Sequence, residues 1–220
     1  MKKKDFFTGS VFQFYVPEIK KHAFCKFFDF RHISEFHGLM AQVFDNFSDT
    51  ENNKLEDLKN SDWLFGPKSL HKWPNLRKHT KWKHLGILFA AEDDIIPDFK
   101  DVQAFPYVVE DESKIGPWYP IHKLTQRGKD CEYKQVKHLE QLVLINTLGL
   151  EYRTGMEYCR INKLKVRDFY DLNNTAILSS YKQMINVPIY KKIPKKIRGK
   201  AITENETKAN KDFSRIILWM

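Results

Sequence analysis

The sequence predicts an α+β protein, with a β-rich N-terminal part followed by a helical, basic C-terminal region. Short runs of β-branched and aromatic residues between turn signals occupy the first part, as is typical of strands. Longer helical periodicities follow it, and the excess of Lys and Arg lies wholly in that later part. We expect the β-rich part to form a small sheet or an open barrel.

Charge divides the chain. Residues 1–125 carry 18 Lys and Arg against 18 Asp and Glu, whereas residues 126–220 carry 19 against 10, so the net charge of +9 comes from the second part. The composition changes at Arg127-Gly128. We therefore predict two domains, a β-rich one over 1–125 and a basic, mainly helical one over 126–220.

Five segments of the first part carry strand signals: "GSVFQFYVP", "HAFCKFFDF", "GLMAQVFDNF", "WKHLGILF" and "DVQAFPYVVE". Pro17 closes the first segment and Gly38 precedes the third. Between the third and fourth lies the polar insert "DTENNKLEDLKNSD", which is consistent with one helical turn or with a loop.

The second part carries helical signals. In "KDCEYKQVKHLEQLVLINTLG", one helical face would collect Tyr133, Val136, Leu139, Val143 and Leu148, with Gly149 as the C-cap. Two further helices are predicted in "TGMEYCRINKLKVRDFYD" and "NTAILSSYKQMINV", the second starting near Asn174 or Thr175. Pro188 and Pro194 then predict an extended connection.

The cysteines indicate a reducing compartment. Cys25, Cys131 and Cys159 are odd in number and scattered, without a CxxC pair, so neither a disulfide framework nor a zinc finger is predicted. The N-terminal apolar run is interrupted by Asp5 and Gln13, which is unlike a signal peptide. No stretch approaches the roughly 20 apolar residues of a membrane helix. We expect a cytoplasmic protein that does not contact a membrane.

Catalytic and metal signatures are missing from the sequence. It contains no GxSxG, Walker or GxGxxG motif. His71, His79 and His84 cluster in sequence, but their spacing does not match HExxH or another short metal motif. We therefore predict no catalytic residue, metal or cofactor and expect a protein that is not an enzyme, although a site assembled from distant residues would leave no motif.

Three consecutive acids, Glu92, Asp93 and Asp94, follow the apolar run "GILFAA". Adjacent acids point in different directions, whereas a divalent cation gathers ligands from several segments. The pattern favours a hydrated loop that ends a strand. An acidic docking patch for a basic partner remains the alternative.

A basic segment near the C-terminus contains six bases and no acid: Lys191, Lys192, Lys195, Lys196, Arg198 and Lys200. Such a cluster attracts phosphates, so nucleic-acid binding is one interpretation. The segment carries Ile193 and Ile197 instead of stacking aromatics, which is unfavourable for a single-strand platform. A solvated basic linker is the other interpretation.

The segments "TGSVFQFYVPEIKKHAFCKFFDF" and "KWKHLGILFAAEDDIIPDF" together resemble the bacterial immunity protein 26 family. The positions that carry the resemblance are Gly9, Val11, Phe12, Trp82, Gly86, Glu92, Pro97 and Phe99. It spans residues 8–120, and the polar insert near Glu51 departs from the family pattern. The resemblance implies a β-rich domain that binds and blocks a cognate toxin.

An inhibitor of this kind needs a preformed surface with a few anchoring aromatics and complementary charge. Partner-binding candidates are Trp63, Phe65, Trp73, Trp82, Trp118 and the acids Glu92, Asp93 and Asp94. Packing in the core is the alternative for each ring. Two functions thus compete: toxin neutralisation by the β-rich part, and association with nucleic acid through the basic C-terminal region.

Overall fold

The computed structural model describes residues 8–31, 34, 38–51, 54–76, 81–88, 95–103 and 108–201. The strands are β1 (Ser10–Val16), β2 (Lys21–Asp29), β3 (Leu39–Ser48), β4 (Lys68–Ser69), β5 (Trp82–Ile87), β6 (Ile95–Ile96), β7 (Phe99–Val102), β8 (Trp118–His122), β9 (Gln126–Arg127), β10 (Glu140–Gln141) and β11 (Lys200–Ala201). The α-helices are α1 (Tyr133–Val136), α2 (Thr147–Ile161) and α3 (Thr175–Ile185). The predicted α+β fold with a β-rich N-terminal part is confirmed.

The first sheet has the strand order β4-β3-β2-β1-β5, and its neighbouring strands are antiparallel. Residues alternate between the two faces, so Phe12, Phe14 and Val16 point to one side of β1. On that side they pack with Leu150 and Met156 of α2. The main core therefore lies between the first sheet and the helices of the second part of the chain.

The opposite, outer face of the first sheet is covered in two places. Phe28 and Met40 pack against Phe99 and Ile121 of the second sheet, which has the order β10-β7-β8-β9. Farther along the face, a separate cluster contains Val11, Phe24, Phe44, Leu58, Trp63, Tyr190 and Ile193. Within the polar insert, Leu55–Leu58 forms a 3-10 helix, which confirms the single helical turn considered from the sequence.

One helix prediction is wrong. The segment predicted as a continuous helix ending at Gly149 contains only the four-residue α1, then β10, and then the start of α2. Glu140 and Gln141 pair in parallel with β7, and this long-range pairing overrides the local periodicity. Gly149 lies in the first turn of α2, where its backbone N–H donates to Asn146 Oδ1 at 2.8 Å.

The two remaining helix predictions agree better with the structure. Asn174 caps α3, accepting from the backbone N–H groups of Ala176 and Ile177. The segment "TGMEYCRINKLKVRDFYD" supplies the end of α2, and the helix stops at Ile161.

The compositional boundary near Arg127-Gly128 coincides with a β-hairpin. Strands β8 and β9 are joined by a tight turn in which Thr125 N–H donates to His122 C=O at 3.0 Å. Both central residues are left-handed, with φ of 49° for Lys123 and 63° for Leu124, as in a type I′ turn. Side chains from both sides of the boundary also share the main core. The boundary marks a change in charge, and the division into two domains, 1–125 and 126–220, stays a prediction.

Candidate partner-binding surface

The five aromatic candidates predicted to anchor a partner all lie in the interior. The exposed fractions of Trp63, Phe65, Trp73, Trp82 and Trp118 range from 1% to 6%. The structure places all five rings in the core, which is the alternative that the sequence offered for each of them. Contact of these rings with a partner stays a prediction, and it would require the side chains to leave the core.

Specific contacts fix several of these rings. Trp73 stacks on Phe27 with ring centroids 5.1 Å apart. The indole N–H of Trp82 donates to the buried carboxylate of Glu151 at 2.6 Å. Because each indole is bound on the inside of the molecule, replacing it would test folding before it tested partner binding.

The acids Glu92, Asp93 and Asp94 lie outside the described residues, so their predicted roles stay predictions. The structure does bring the two segments of the family resemblance together. Gly86 of β5 pairs with Val11 of β1, and Leu88 N–H donates to Gly9 C=O at 2.9 Å. A Cβ atom on Gly9 would lie 2.4 Å from the carbonyl oxygen of Leu88, so this approach requires glycine.

An open groove of about 540 Å³ lies on the outer face of the first sheet, on strands β1, β2 and β5. The groove is lined by Gln13, Tyr15, His22, Glu51, Lys81, Trp82 and Lys83, and we call it the outer groove. Tyr15 and His22 are cross-strand neighbours, and their half-buried rings lie 5.0 Å apart. Lys81 and Lys83 are exposed at its side. The groove combines two aromatic rings with two lysines, of which Lys83 lies on β5 and Lys81 directly precedes it.

The charged side chains around the outer groove form ion pairs at the surface of the protein. Lys83 pairs with Glu51 at 2.9 Å, and the hydrogen bond from Lys83 lowers the pKa of Glu51. Lys21, just before His22, pairs with Asp49 at 2.6 Å. Exposed ion pairs contribute about 0–1 kcal/mol, so they can exchange for a partner's groups at little cost.

Sequence reasoning missed the outer groove because its residues come from three strands. One signal was present: Val11, Gln13 and Tyr15 alternate along one face of β1, and the last two are polar or amphipathic. That alternation identifies a face that is only partly covered. It does not identify His22 and Lys83 as neighbours.

A buried ion network lies between the sheets and the helices, comprising Lys68, Glu140, Arg153, Glu157 and Arg160. Glu140 accepts from Lys68 at 3.2 Å and from Arg153 at 3.0 Å. Glu157 pairs with Arg153 and with Arg160. Arg160 also donates to two carbonyl oxygens at the end of α3. The network thereby joins β4, β10, α2 and α3.

Burial and neighbouring charges oppose each other in this network. Burial disfavours ionisation of Glu140, but Arg153 and Lys68 outweigh it and lower its pKa. For Glu157, burial prevails over the two arginines and raises the pKa. Burial likewise lowers the pKa of Lys68. The two carboxylates bind all three basic groups of the network, so the arrangement positions helices and strands.

A second buried pair joins Lys100 of β7 to Glu112 at 2.5 Å. Burial lowers the pKa of Lys100 and raises the pKa of Glu112. The ammonium also lies 5.5 Å from the ring of Trp118 and 5.0 Å from that of Tyr133. This pair holds the loop before β8 against the second sheet.

The basic C-terminal segment is anchored in the described structure. Tyr190 and Ile193 insert into the cluster on the outer face of the first sheet. Arg198 stacks over the ring of Tyr190 at 4.4 Å and donates to the carbonyl oxygen of Ile193 at 2.8 Å. Two short 3-10 helices, Tyr190–Lys192 and Lys195–Ile197, shape it. We call residues 190–198 the C-terminal strap.

The predicted nucleic-acid-binding cations occupy different environments. Lys191 pairs with Asp45, and Arg198 donates a hydrogen bond to a carbonyl oxygen of the strap. Lys192, Lys195 and Lys196 are exposed. Lys200 begins β11, which pairs with β6.

Within the part of the chain that the structure describes, no group of three or more His, Cys, Asp or Glu side chains is arranged to hold a metal ion. His79 lies outside that part. Among the helices so described, none has the length and apolar character needed to cross a membrane.

Comparisons of the chain with protein-family models, with curated proteins and with solved structures found no match. The resemblance to the immunity protein 26 family therefore stays a prediction.

Proposed function

We propose that the protein is an immunity-type binding protein that neutralises a cognate bacterial toxin by direct contact, without catalysis. The observation that carries the proposal is the outer groove, which lies within the region of family resemblance. It presents two half-buried rings and exposed lysines on strands of the first sheet. Aromatic side chains next to exchangeable charges are typical of the centre and rim of protein interfaces.

Strand pairing brings Gly9 and Val11 next to Gly86. This supports the same proposal, because it joins into one surface the two segments that carry the family resemblance and are distant in sequence. Neutralisation requires only that this surface cover the toxin. Strands held on one face by α2 and α3 supply a preformed surface, which reduces the entropy lost on binding.

The experiment begins with the gene beside the one that encodes this chain. We expect it to encode a toxin whose expression stops bacterial growth and whose effect is removed by co-expression of this protein. Binding is then measured by calorimetry with a toxin variant inactivated at its catalytic site. Absence of both protection and binding would contradict the proposal.

Variants of the outer groove test its location. Tyr15→Ala and Lys83→Glu are expected to weaken toxin binding by about tenfold or more, which is about 1.4 kcal/mol. Lys134→Glu is the matched control, since Lys134 is exposed and pairs with Glu132 beside the second sheet. Circular dichroism confirms that each variant is folded. Equal affinity of all variants would place the interface elsewhere.

A second candidate function is association with nucleic acid through the C-terminal strap. The exposed Lys192 and Lys196, held on a strap that Tyr190 and Ile193 anchor, support it. Labelled DNA or RNA should then bind with an affinity that falls steeply with salt, and Lys192→Gln with Lys196→Gln should reduce both affinity and slope. The absence of binding at low salt would eliminate this candidate.

A further inference from the structure

The turn that follows α2 presents an unusual surface. The helix ends in a Schellman motif, in which Leu164 N–H donates to Cys159 C=O at 2.8 Å. Lys163 occupies the left-handed position of this motif, with φ of 59°, where glycine is favoured. A 3-10 helix, Val166–Asp168, follows directly. The chain is therefore ordered by hydrogen bonds throughout this turn.

The side chains of the turn divide into an inner and an outer set. Val166 and Tyr170 pack against the main core. Leu164 and Phe169 point outward and are 41% and 37% exposed. Between and beside them, Lys163, Lys165 and Arg167 are also exposed. We call these five outward residues, Lys163, Leu164, Lys165, Arg167 and Phe169, the turn patch.

The chemistry of the turn patch indicates which kind of partner it would bind. Arg and aromatic side chains are enriched at protein interfaces, and an exposed apolar pair gains by burial in a recess. Three cations against one acid, Asp168, favour an acidic counterpart. Nucleic acid would accept the cations but would leave Leu164 facing phosphates. An acidic protein face with an apolar recess satisfies both halves of the patch.

The turn patch lies at the same end of the first sheet as the outer groove. Tyr158 of α2 contacts Phe47 of β3, with ring centroids 4.7 Å apart. Phe47 pairs with Ala23 on the helix-facing side of the sheet, and the next residue, His22, points to the groove on the other side, so one partner would reach both surfaces around this end of the sheet. Since a helix rises 1.5 Å per residue, α2 ends at Ile161 about 5 Å along its axis from Tyr158, and the turn patch follows within two residues.

We propose that the turn patch is a second contact for the partner that occupies the outer groove, and that this partner presents an acidic face with an apolar recess. The inference rests on the proposed toxin-binding function. Phe169 and Leu164 supply buried apolar contacts, and Lys165 and Arg167 accelerate association by attracting the acidic face.

The test uses the full-length chain and the catalytically inactivated toxin encoded by the neighbouring gene, with binding rates measured by surface plasmon resonance. The double variant Leu164→Ala, Phe169→Ala should bind at least about tenfold more weakly, chiefly through faster dissociation. The double variant Lys165→Glu, Arg167→Glu should associate more slowly, and its association rate should depend less steeply on salt.

Matched controls are Leu148→Ala, which removes an equally exposed leucine from the first turn of α2, and Lys134→Glu. Both should bind within about twofold of the unaltered chain, since rim or distant changes contribute little. If the unaltered chain binds the toxin and both turn-patch variants bind equally well, the inference fails and the proposed function stands. If the unaltered chain does not bind, both fail.

A competing explanation of the turn patch is adsorption to an anionic lipid surface. Sedimentation of the full chain with vesicles of phosphatidylcholine and phosphatidylglycerol tests it. Binding to vesicles that disappears in the Leu164→Ala, Phe169→Ala variant would overturn the inference, whereas no binding agrees with it.

Discussion

Lys68 and Glu140 are 72 residues apart in the sequence, yet their side chains form a salt bridge of 3.2 Å in which neither is more than 3% exposed. Lys68 comes from the edge strand of the first sheet and Glu140 from the edge strand of the second. Arg153 of α2 binds the other carboxylate oxygen of Glu140. One carboxylate therefore ties both sheets and the longest helix together.

Replacing Glu140 by Gln should lower the free energy of unfolding by about 3–5 kcal/mol, because it leaves Lys68 buried without a carboxylate partner and Arg153 with Glu157 alone. The substitution hardly changes the volume of the side chain, so the decrease in the free energy of unfolding measures the effect of removing the charge. Urea unfolding followed by tryptophan fluorescence measures it. Glu132→Gln is the control: its 2.6 Å pair with Lys134 is exposed and should contribute no more than about 1 kcal/mol. Equal effects of the two substitutions would contradict the importance of burial.

Glu140 should also affect the dependence of stability on pH. Its pKa is lowered in the folded state, so its contribution is present above the unfolded pKa of about 4.3 and is lost as pH falls through the folded pKa. Stability measured from pH 5 to pH 3 should therefore fall more steeply in the unaltered protein than in Glu140→Gln. Glu112 and Glu157 have pKa values raised by burial and contribute the opposite slope; because the charge of Glu140 also raises both pKa values, the substitution makes that opposite slope smaller in the variant. Parallel curves would contradict this assignment.

The β8–β9 turn offers a stabilising substitution. Lys123 has φ of 49°, which costs a residue with a Cβ atom about 1–2 kcal/mol relative to glycine. Part of this gain is offset by the greater freedom of glycine in the unfolded chain, so Lys123→Gly should stabilise by about 0.5–1 kcal/mol. Its backbone N–H still donates to Asp98. Lys137→Gly, at φ of −55°, should instead destabilise, and thermal unfolding distinguishes the two.

The three thiols should differ in reactivity. Cys25 and Cys159 are fully buried, and burial raises the pKa of Cys159 to about 11. Cys131 is partly exposed, and its pKa is raised first by burial and then by Asp130. Because the thiolate is the reactive form, we expect one slow equivalent of Ellman reagent in the native protein and three after unfolding. Native Cys131→Ser should not react, and rapid reaction of all three native thiols would argue against this packing.

Local patterns were sufficient for β1, β2, β3 and β5, the described strands of six residues or more, whereas the segment "DVQAFPYVVE" overlaps β7 only at Asp101 and Val102 and the other short strands were not predicted. The aromatic and β-branched run "GSVFQFYVP" predicted β1, and Pro17 marked its end, since Val16 is the last strand residue. In the structure, the two-residue period of a strand places Phe12 and Phe14 together on the core face. These features depend on neighbouring residues, so the sequence displays them directly.

Long-range features left no comparable signal. The pairing of Glu140 with β7 overrode a helical periodicity, and the partners Lys68 and Arg153 are identified only by the fold. The type I′ turn was not predicted, because Lys-Leu occupies the positions where Asn-Gly is usual. Leu124 is retained there because its side chain is completely buried against the second sheet. The tryptophans were predicted to bind a partner, with packing in the core as the alternative, and partner contact stays a prediction. Their burial depends on long-range contacts that composition does not specify.

The C-terminal strap has a consequence for biosynthesis. Phe24 and Phe44 emerge from the ribosome early, whereas Tyr190 and Ile193, which cover them, are made about 150 residues later. At synthesis rates of about 5–20 residues per second, that aromatic surface stays uncovered for on the order of 10–30 s. During this interval the nascent sheet is a natural target for holding chaperones, and this cluster can close only after Tyr190 and Ile193 have left the ribosome.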